Sequence, residues 1–443
     1  MDSDGEHNPM PAAPASPSRA FMLRSGPKLV LALLALAYVC NVADRLLLSI
    51  LAQDIKSDLK LSDWEIGLLV GPAIAFFYAI LGIPMAYVAD RVHRVRFLAV
   101  CLALWSVLTA AGGAAGNAVQ LALTRIGVSA VEAGGSPASS SILADYFEPR
   151  SRPAAMGIYS AASTIGVLVS FALGGLLNGH IGWRWTLVVA GVPGILLALL
   201  LITFVREPLR GSRDRDAAGR PITRRAPRAL FASLMELSRL DFYRKVAIAA
   251  GVSNFCFTTI LSWSPSIVMR KFYAGSGHAG VALGFGLAIF GATAAVVAGR
   301  VTSRLVKEGM ARPLRIAAFF QLFSAPLILA GLFSNSLPLC VGLICLAYGF
   351  QSFFVPIYWA VSQSHVPSDM RAMSSALMLL SIAICGHGIA PPVVGALSDA
   401  LRPSFGQASL QYAVACSLVV NLFAAWLFLR ASRAPAAQCE SAF

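Results

Sequence analysis

Four charged residues stand inside long apolar runs: Asp44, Arg45, Arg125 and Glu132. The first two close the stretch Tyr38-Val-Cys-Asn41-Val-Ala-Asp44-Arg45, in an apolar run over about 29–51 that is long enough for a helix to cross a bilayer. Arg125 and Glu132 lie seven residues apart in another such run, on nearly one helix face and about 10 Å apart along its axis. An ionised side chain is expensive in hydrocarbon, so these groups face a protein interior or a wet cavity, where they must pair or exchange protons. The chemistry divides by residue type. Asp44 and Glu132 are candidate proton-coupling carboxylates, and Arg45 and Arg125 are candidate substrate-binding groups, because a planar guanidinium forks onto a carboxylate or phosphate. Two plainer readings stay open: Asp44 and Arg45 neutralise each other, or all four form a structural quartet.

The second half of the chain has no such charges. An offset of 213 residues lays Asn254 on Asn41 and Phe257-Thr258 on Asp44-Arg45. Shape and hydrogen bonding are what this half offers, through Asn254, Thr258, Trp263 and Tyr358 as substrate-binding candidates, with Thr259, Gln351, Trp359 and His387 nearby.

The elements that position these residues are membrane helices. The chain of 443 residues is 57% hydrophobic and only 13% charged, which excludes an ordinary soluble domain. Twelve spans are predicted, at about 29–51, 64–88, 97–115, 119–146, 154–177, 185–205, 243–268, 280–302, 314–333, 338–365, 372–397 and 409–430. The fold class is therefore all-α integral membrane, twelve transmembrane helices in two pseudo-symmetric six-helix bundles. Residues 1–28 form a disordered cytoplasmic tail, 29–205 the first bundle, 206–241 a basic cytoplasmic linker with an amphipathic helix near 230–240, 242–430 the second bundle and 431–443 a second cytoplasmic tail. The halves repeat at about the same offset. Ala86-x-x-x-Asp90-Arg91 meets Gly299-x-x-x-Ser303-Arg304, and Pro149-x-x-Arg152 echoes Pro367-x-x-x-Arg371. In transporters such halves hold substrate at their interface.

The net charge of +14 is scattered through the loops, which fits positive-inside topology with both termini cytoplasmic and excludes a nucleic-acid partner. Eight cysteines without a CxxC pair exclude a disulfide framework or metal centre. Gly284-x-Gly286 follows no strand, so it is no dinucleotide site, and no Walker sequence is present. No cofactor and no enzymatic activity are expected. A small-residue stripe, Ser163-x-x-Gly166-x-x-x-Ser170-x-x-x-Gly174, allows close helix packing. Gly386, Gly388, Pro391 and Pro392 mark a bend beside His387, which is taken as a packing histidine.

Ala86-Tyr-Val-Ala-Asp90-Arg91-Val-His93-Arg94-Val-Arg96 resembles the loop signature of the major facilitator superfamily, G-x-x-x-D-R-x-G-R-R, with Ala86 and His93 in place of its glycines. The resemblance implies that Asp90, Arg94 and Asp145 form a charge relay clamping the cytoplasmic side. Arg91 of the motif and Arg371, at the start of the eleventh helix, are grouped with them. Asn41-x-x-Asp44-Arg45, Arg125 with Glu132, Gly182-Trp183-Arg184-Trp185, Arg206-Glu207-Pro208 and Trp263-x-Pro265 are similar to the spinster branch, although Ser129-Ala-Val131-Glu132 departs from its G-x-G-E. Animal spinster proteins export lysophospholipids and sphingosine phosphate. The resemblance thus implies a secondary transporter of the cell inner membrane, monomeric, proton-coupled and moving an amphiphilic anion. The alternatives are a carrier for a small organic anion, sugar acid or drug, and a non-transporting receptor or scaffold. Protons and membrane lipid complete the expected partners.

Overall fold

The computed structural model describes residues 26–89, 91–209, 241–364 and 371–433. Among them there are helices and no strands, as hydrocarbon demands of a chain that must satisfy its own backbone. In the first half, α1 is Pro27–Leu59, α2 is Asp63–Val70 and Pro72–Ala89, and α3 is Arg94–Gly112. Helix α4 joins Ala118–Glu132 to Gly135–Tyr146. Helix α5 runs Arg152–Leu168 through a π turn, Val169–Leu173, into Gly174–Phe204, where Gly182 turns the chain (φ 75°) and α6 begins. In the second half, α7 is Asp241–Phe272, α8 Ser276–Leu305, α9 Ala311–Phe333 and α10 Leu337–Gln351 with Phe354–Ser364. Helix α11 joins Arg371–Ile382, a π turn Ala383–Ile389 and Ala390–Phe405, and α12 joins Ser409–Ser417 to Val419–Ser432. These are the twelve expected crossings in two sets of six.

Helix α1 outruns its apolar stretch by two turns. The polar segment to Leu59 belongs to the same helix, which at 33 residues is about 50 Å long. Asp54 and Asp58 on this extension tie down α5 and α6. Asp54 accepts from Asn178, and Asp58 accepts from Trp183 Nε1 at 3.0 Å and Arg184 Nη2 at 2.9 Å. The positive φ at Gly182, which glycine adopts without steric penalty, presents Trp183 and Arg184 to that carboxylate.

Two apolar cores lie near the termini, one per bundle. One gathers Leu34, Leu98, Ile142 and Leu201, the other Phe242, Leu314, Tyr358 and Phe428. A third, larger core at the opposite, far end draws on both bundles, with Leu51, Ile66 and Phe171 beside Trp263, Leu283 and Val394. Cross-bundle hydrogen bonds among the described residues gather at that far end as well. The bundles are closed upon each other there. Large side chains such as Leu104, Val107, Phe319 and Phe323 stay exposed on the outer surface, as lipid contact requires.

The tail over 1–25, Asp90, the linker over 210–240 and the tail over 434–443 lie outside the described residues. Arg206–Pro208, assigned to the linker by sequence, instead dock onto the first bundle: Tyr146 donates to the carbonyl of Arg206, and Glu207 and Pro208 meet Arg94.

Candidate functional site

Helix α1 carries Asp44 and Arg45 on adjacent positions, about 100° apart around its axis, so they cannot face one partner together. They do not neutralise each other. Asp44 turns inward, where Oδ2 accepts from Arg125 Nη2 at 2.6 Å and Oδ1 from Thr109 Oγ1 at 2.8 Å. Arg45 turns the other way, lays its guanidinium 4.0 Å above the Tyr78 ring and donates through Nε to Glu132 at 2.9 Å. The four charges are cross-paired, one acid and one base from α1 against one base and one acid from α4.

Of the two plainer readings, the neutral Asp44–Arg45 pair is thereby set aside, and Glu132, seven residues from Arg125 on its own helix, holds Arg45 of α1. Exposure separates the two arginines: the Arg125 side chain is 1% exposed and that of Arg45 30%. The network also retains hydrogen-bonding capacity. Asn41 Oδ1, Arg45 Nη2, Arg125 Nε and Glu132 Oε1 are buried without a hydrogen-bond partner among the described residues. Buried polar atoms are normally satisfied, so four together point to a site that completes its bonds with something else.

Around Asn41 a small recess of mixed character is lined by Tyr38, Leu98, Trp105, Ser136, Ser139 and Tyr159, and the rings of Tyr38 and Tyr159 stack at 4.7 Å. The second bundle supplies no charge to match. Asn254 donates to the Ile382 carbonyl at 3.0 Å, just ahead of the α11 π turn, and Thr258 Oγ1 lies 3.5 Å from His387 Nδ1. His387 is itself exposed, so this one contact does not make it the packed histidine expected of the bend. Phe257 stacks on Tyr348 at 4.7 Å, and Tyr358 tilts against Phe354 and Trp359. Asn254, Thr258, Trp263 and Tyr358 are all buried in this state, so they are not open to a ligand. Trp263 is the deepest, in the shared far-end core.

At the termini end, Arg94 is almost wholly buried at a hub of acceptors. Nη1 donates to Asp145 at 2.5 Å and to Ser141 Oγ at 2.8 Å, Nε to Glu207 at 2.6 Å and Nη2 to the Pro208 carbonyl at 2.8 Å. Arg94 and Asp145 meet as the loop motif implies. Arg91 does not join them; it folds back over its own Tyr87 ring at 3.2 Å. Of Arg371 only the backbone position, opening α11, is described. Sequence reasoning missed Glu207, although Arg206-Glu207-Pro208 was itself a conspicuous motif. It also missed a far-end clamp. Asp63, at the start of α2, receives Arg270 Nη1 at 2.9 Å and Nη2 at 2.5 Å, together with Lys56 and Ser398. Asp399 in turn accepts the backbone N–H of Asp63 at 3.0 Å and of Trp64 at 2.8 Å. The available signal was a basic pair, Arg270-Lys271, on the side where positive-inside topology expects few cations.

Residues 34–386 match the model of the Major Facilitator Superfamily. The chain belongs to that superfamily. It is a transporter and no enzyme. Its relatives include an MFS-type efflux pump of Mycolicibacterium smegmatis, 33% identical over 91% of this chain and 94% of the relative. A probable L-galactonate transporter of Escherichia coli is 29% identical, covering 83% of this chain and 82% of its own. A sphingosine-1-phosphate transporter of Danio rerio is 25% identical, covering 92% and 85%. Among solved structures, a bacterial homologue of the human lysosomal transporter Spinster, inward-facing and unoccupied, superposes with a TM-score of 0.82 at 27% identity, over 92% of this chain and 97% of that one. The spinster-like resemblance read from the motifs stands.

Proposed function

We propose that this transporter is a proton-coupled carrier of an amphiphilic anion, a lysophospholipid or sphingoid phosphate in type, working by alternating access. The observation that carries the reading is the cross-paired quartet with its unequal exposure. An anionic head reaches Arg45 first, because its side chain is the more exposed of the two and its buried Nη2 has no partner among the described residues. Forking onto the head draws Arg45 from Glu132, and a carboxylate that loses its cation inside a membrane must take a proton or find another partner. Asp44, held by Arg125 and Thr109, is the second proton site, reached when the bundles rearrange. The aromatic lining of the second bundle, Phe257, Tyr348, Phe354 and Tyr358, suits an apolar tail once it is uncovered. The relative from Danio rerio supports this substrate class.

With the basic loops in the cytoplasm of a cell inner membrane, the termini end faces inward and the closed far end outward. Arg94, Asp145 and Glu207 then belong to the cytoplasmic gate, with Asp90 and Arg371 as its further members. A second reading has its own support. Among the described residues Gln351 leaves both amide atoms, and Trp263 its Nε1, without partners, which suits the hydroxyls of a sugar acid such as that in the name of the Escherichia coli relative, a probable L-galactonate transporter.

The test is transport in proteoliposomes. Asp44→Asn should still exchange substrate by counterflow while losing accumulation driven by a pH gradient. Accumulation at the wild-type level would remove Asp44 from the coupling role. Competition by lysolipids but not by sugar acids selects the first substrate class, and the reverse selects the second.

A further inference from the structure

A cavity of about 490 Å³ opens at the far end, away from the central quartet and between the two bundles. The end of α1 lines it with Gln53, Lys56, Ser57, Lys60 and Leu61 from one bundle. Arg270 of α7, Arg402 and Gly406 after the α11 bend, Gln407 and Ser409 line it from the other. Four of these residues are cations, and no lining residue is acidic. Asp63, beside the cavity, takes up Lys56 and Arg270, and Arg270 Nε also donates to Gln53 Oε1 at 2.8 Å. Lys60 and Arg402 make no ion pair among the described residues. The acid one turn before Arg402, Asp399, is committed to two backbone N–H groups of α2. Gln53 contributes a further donor, since its buried Nε2 has no partner among the described residues.

Like charges gathered at one mouth repel, and that repulsion falls on the contact that keeps the far end shut. An oxyanion seated among them would relieve it and would receive donors from both bundles at once: a fork from Arg402, point charges from Lys56 and Lys60, and an amide from Gln53. We propose that this cavity is an anion site, distinct from the central one, which takes a phosphate group and staples the bundles in the closed-far-end state. The cavity has room for whatever the phosphate is attached to. Two sources share the chemistry, a free phosphate in the medium and the headgroup of an acidic lipid in the adjoining leaflet.

The experiment uses the whole transporter in nanodiscs and reads its Tm together with the distance between spin labels at Ser57 and Gln407. Lys60→Gln with Arg402→Gln is the decisive variant, because both side chains are exposed and neither makes an ion pair among the described residues. In phosphatidylcholine discs, 10 mM inorganic phosphate should raise the wild-type Tm and narrow the label distance relative to chloride at equal ionic strength. Alternatively, phosphate has no effect and phosphatidic acid in the disc gives the same two shifts. Either result supports the site and identifies its source, provided the double variant abolishes both shifts and Arg45→Lys, which weakens the central site with folding little changed, retains them. Shifts that persist in the double variant are general salting-out and overturn the proposal. Shifts lost in Arg45→Lys place the anion at the central site and overturn it equally, leaving the central reading intact. Absence of both shifts from both sources overturns it outright.

Discussion

At the scale of single residues, the buried pair Asp44–Arg125 is the most sensitive contact in the first bundle. Removing one member leaves the other charged and alone, which typically destabilises by about 3–5 kcal/mol, whereas replacing both leaves no stranded charge. Arg125→Gln should therefore lower the Tm strongly, and Asp44→Asn with Arg125→Gln should recover much of the loss. A double variant that is merely the sum of two singles would show that the pair is not coupled. Arg45→Lys asks a different question, because it keeps the charge and loses the fork. Substrate affinity should fall about ten- to a hundredfold, from a charge-assisted contact of roughly 1.5–3 kcal/mol, with folding little changed. Titration by thermal shift reads both, and wild-type affinity in the folded Lys variant would make Arg45 structural. The sequence made these four residues visible because a charge within an apolar run is conspicuous. It could not say which acid meets which base, since Asp44 and Arg125 are 81 positions apart and only the packing of α1 on α4 decides. Thr109 was silent for the opposite reason: a threonine in a helix is ordinary until a partner is set beside it, and Glu207, though part of a visible motif, lies 113 positions from the Arg94 it meets.

At the scale of helices, the far end depends on backbone-to-backbone approach. Gly280 of α8 lies against the Phe171 carbonyl of α5, and Gly175 of α5 against the Ser276 carbonyl of α8, with no space for a side chain at either position. Gly280→Val should force the two helices apart, widen the distance between labels at Ser57 and Gln407, and shift the carrier toward a state open at the far end. An unchanged distance would mean that the bundles adapt elsewhere. Helix number and order were legible because apolar runs of about 20 residues can be little else in this composition. Helix ends were less so. The last two turns of α1 are polar, and hydropathy stops where the helix does not. The interruption of α4 between Glu132 and Gly135 was hidden inside a single apolar run, although Ala133-Gly134-Gly135 is a weak place in any helix.

At the scale of the whole molecule, Asp63 is the keystone of the closed end, since it joins Lys56 of its own bundle to Arg270 and Ser398 across the bundle boundary. Asp63→Asn keeps the size and loses the charge, so the far end should open more often. Cysteines placed at Ser57 should then react faster with a membrane-impermeant thiol reagent than they do in the parent, and equal rates would show that the shared apolar core alone keeps it shut. Orientation is open to the same chemistry. In intact cells such a reagent should label a cysteine at Gly275 and spare one at Gly219, and the opposite pattern would invert the topology.

Two π turns, Val169–Leu173 in α5 and Ala383–Ile389 in α11, interrupt the fifth helix of each bundle. Each holds surplus residues relative to an α turn, so each is a point where the chain tolerates a change of length. Elsewhere in a span, one deleted residue rotates everything beyond it by about 100° and carries buried faces into lipid. Deleting the lipid-exposed Leu173 should instead let the π turn relax to an α turn, with the flanking faces keeping their bearings. A carrier lacking Leu173 should reach the membrane in amounts close to the parent, while one lacking Ala294, in the regular α8, should not. Length variation among descendants of this chain would then gather at these two turns, leaving the register of the other spans fixed.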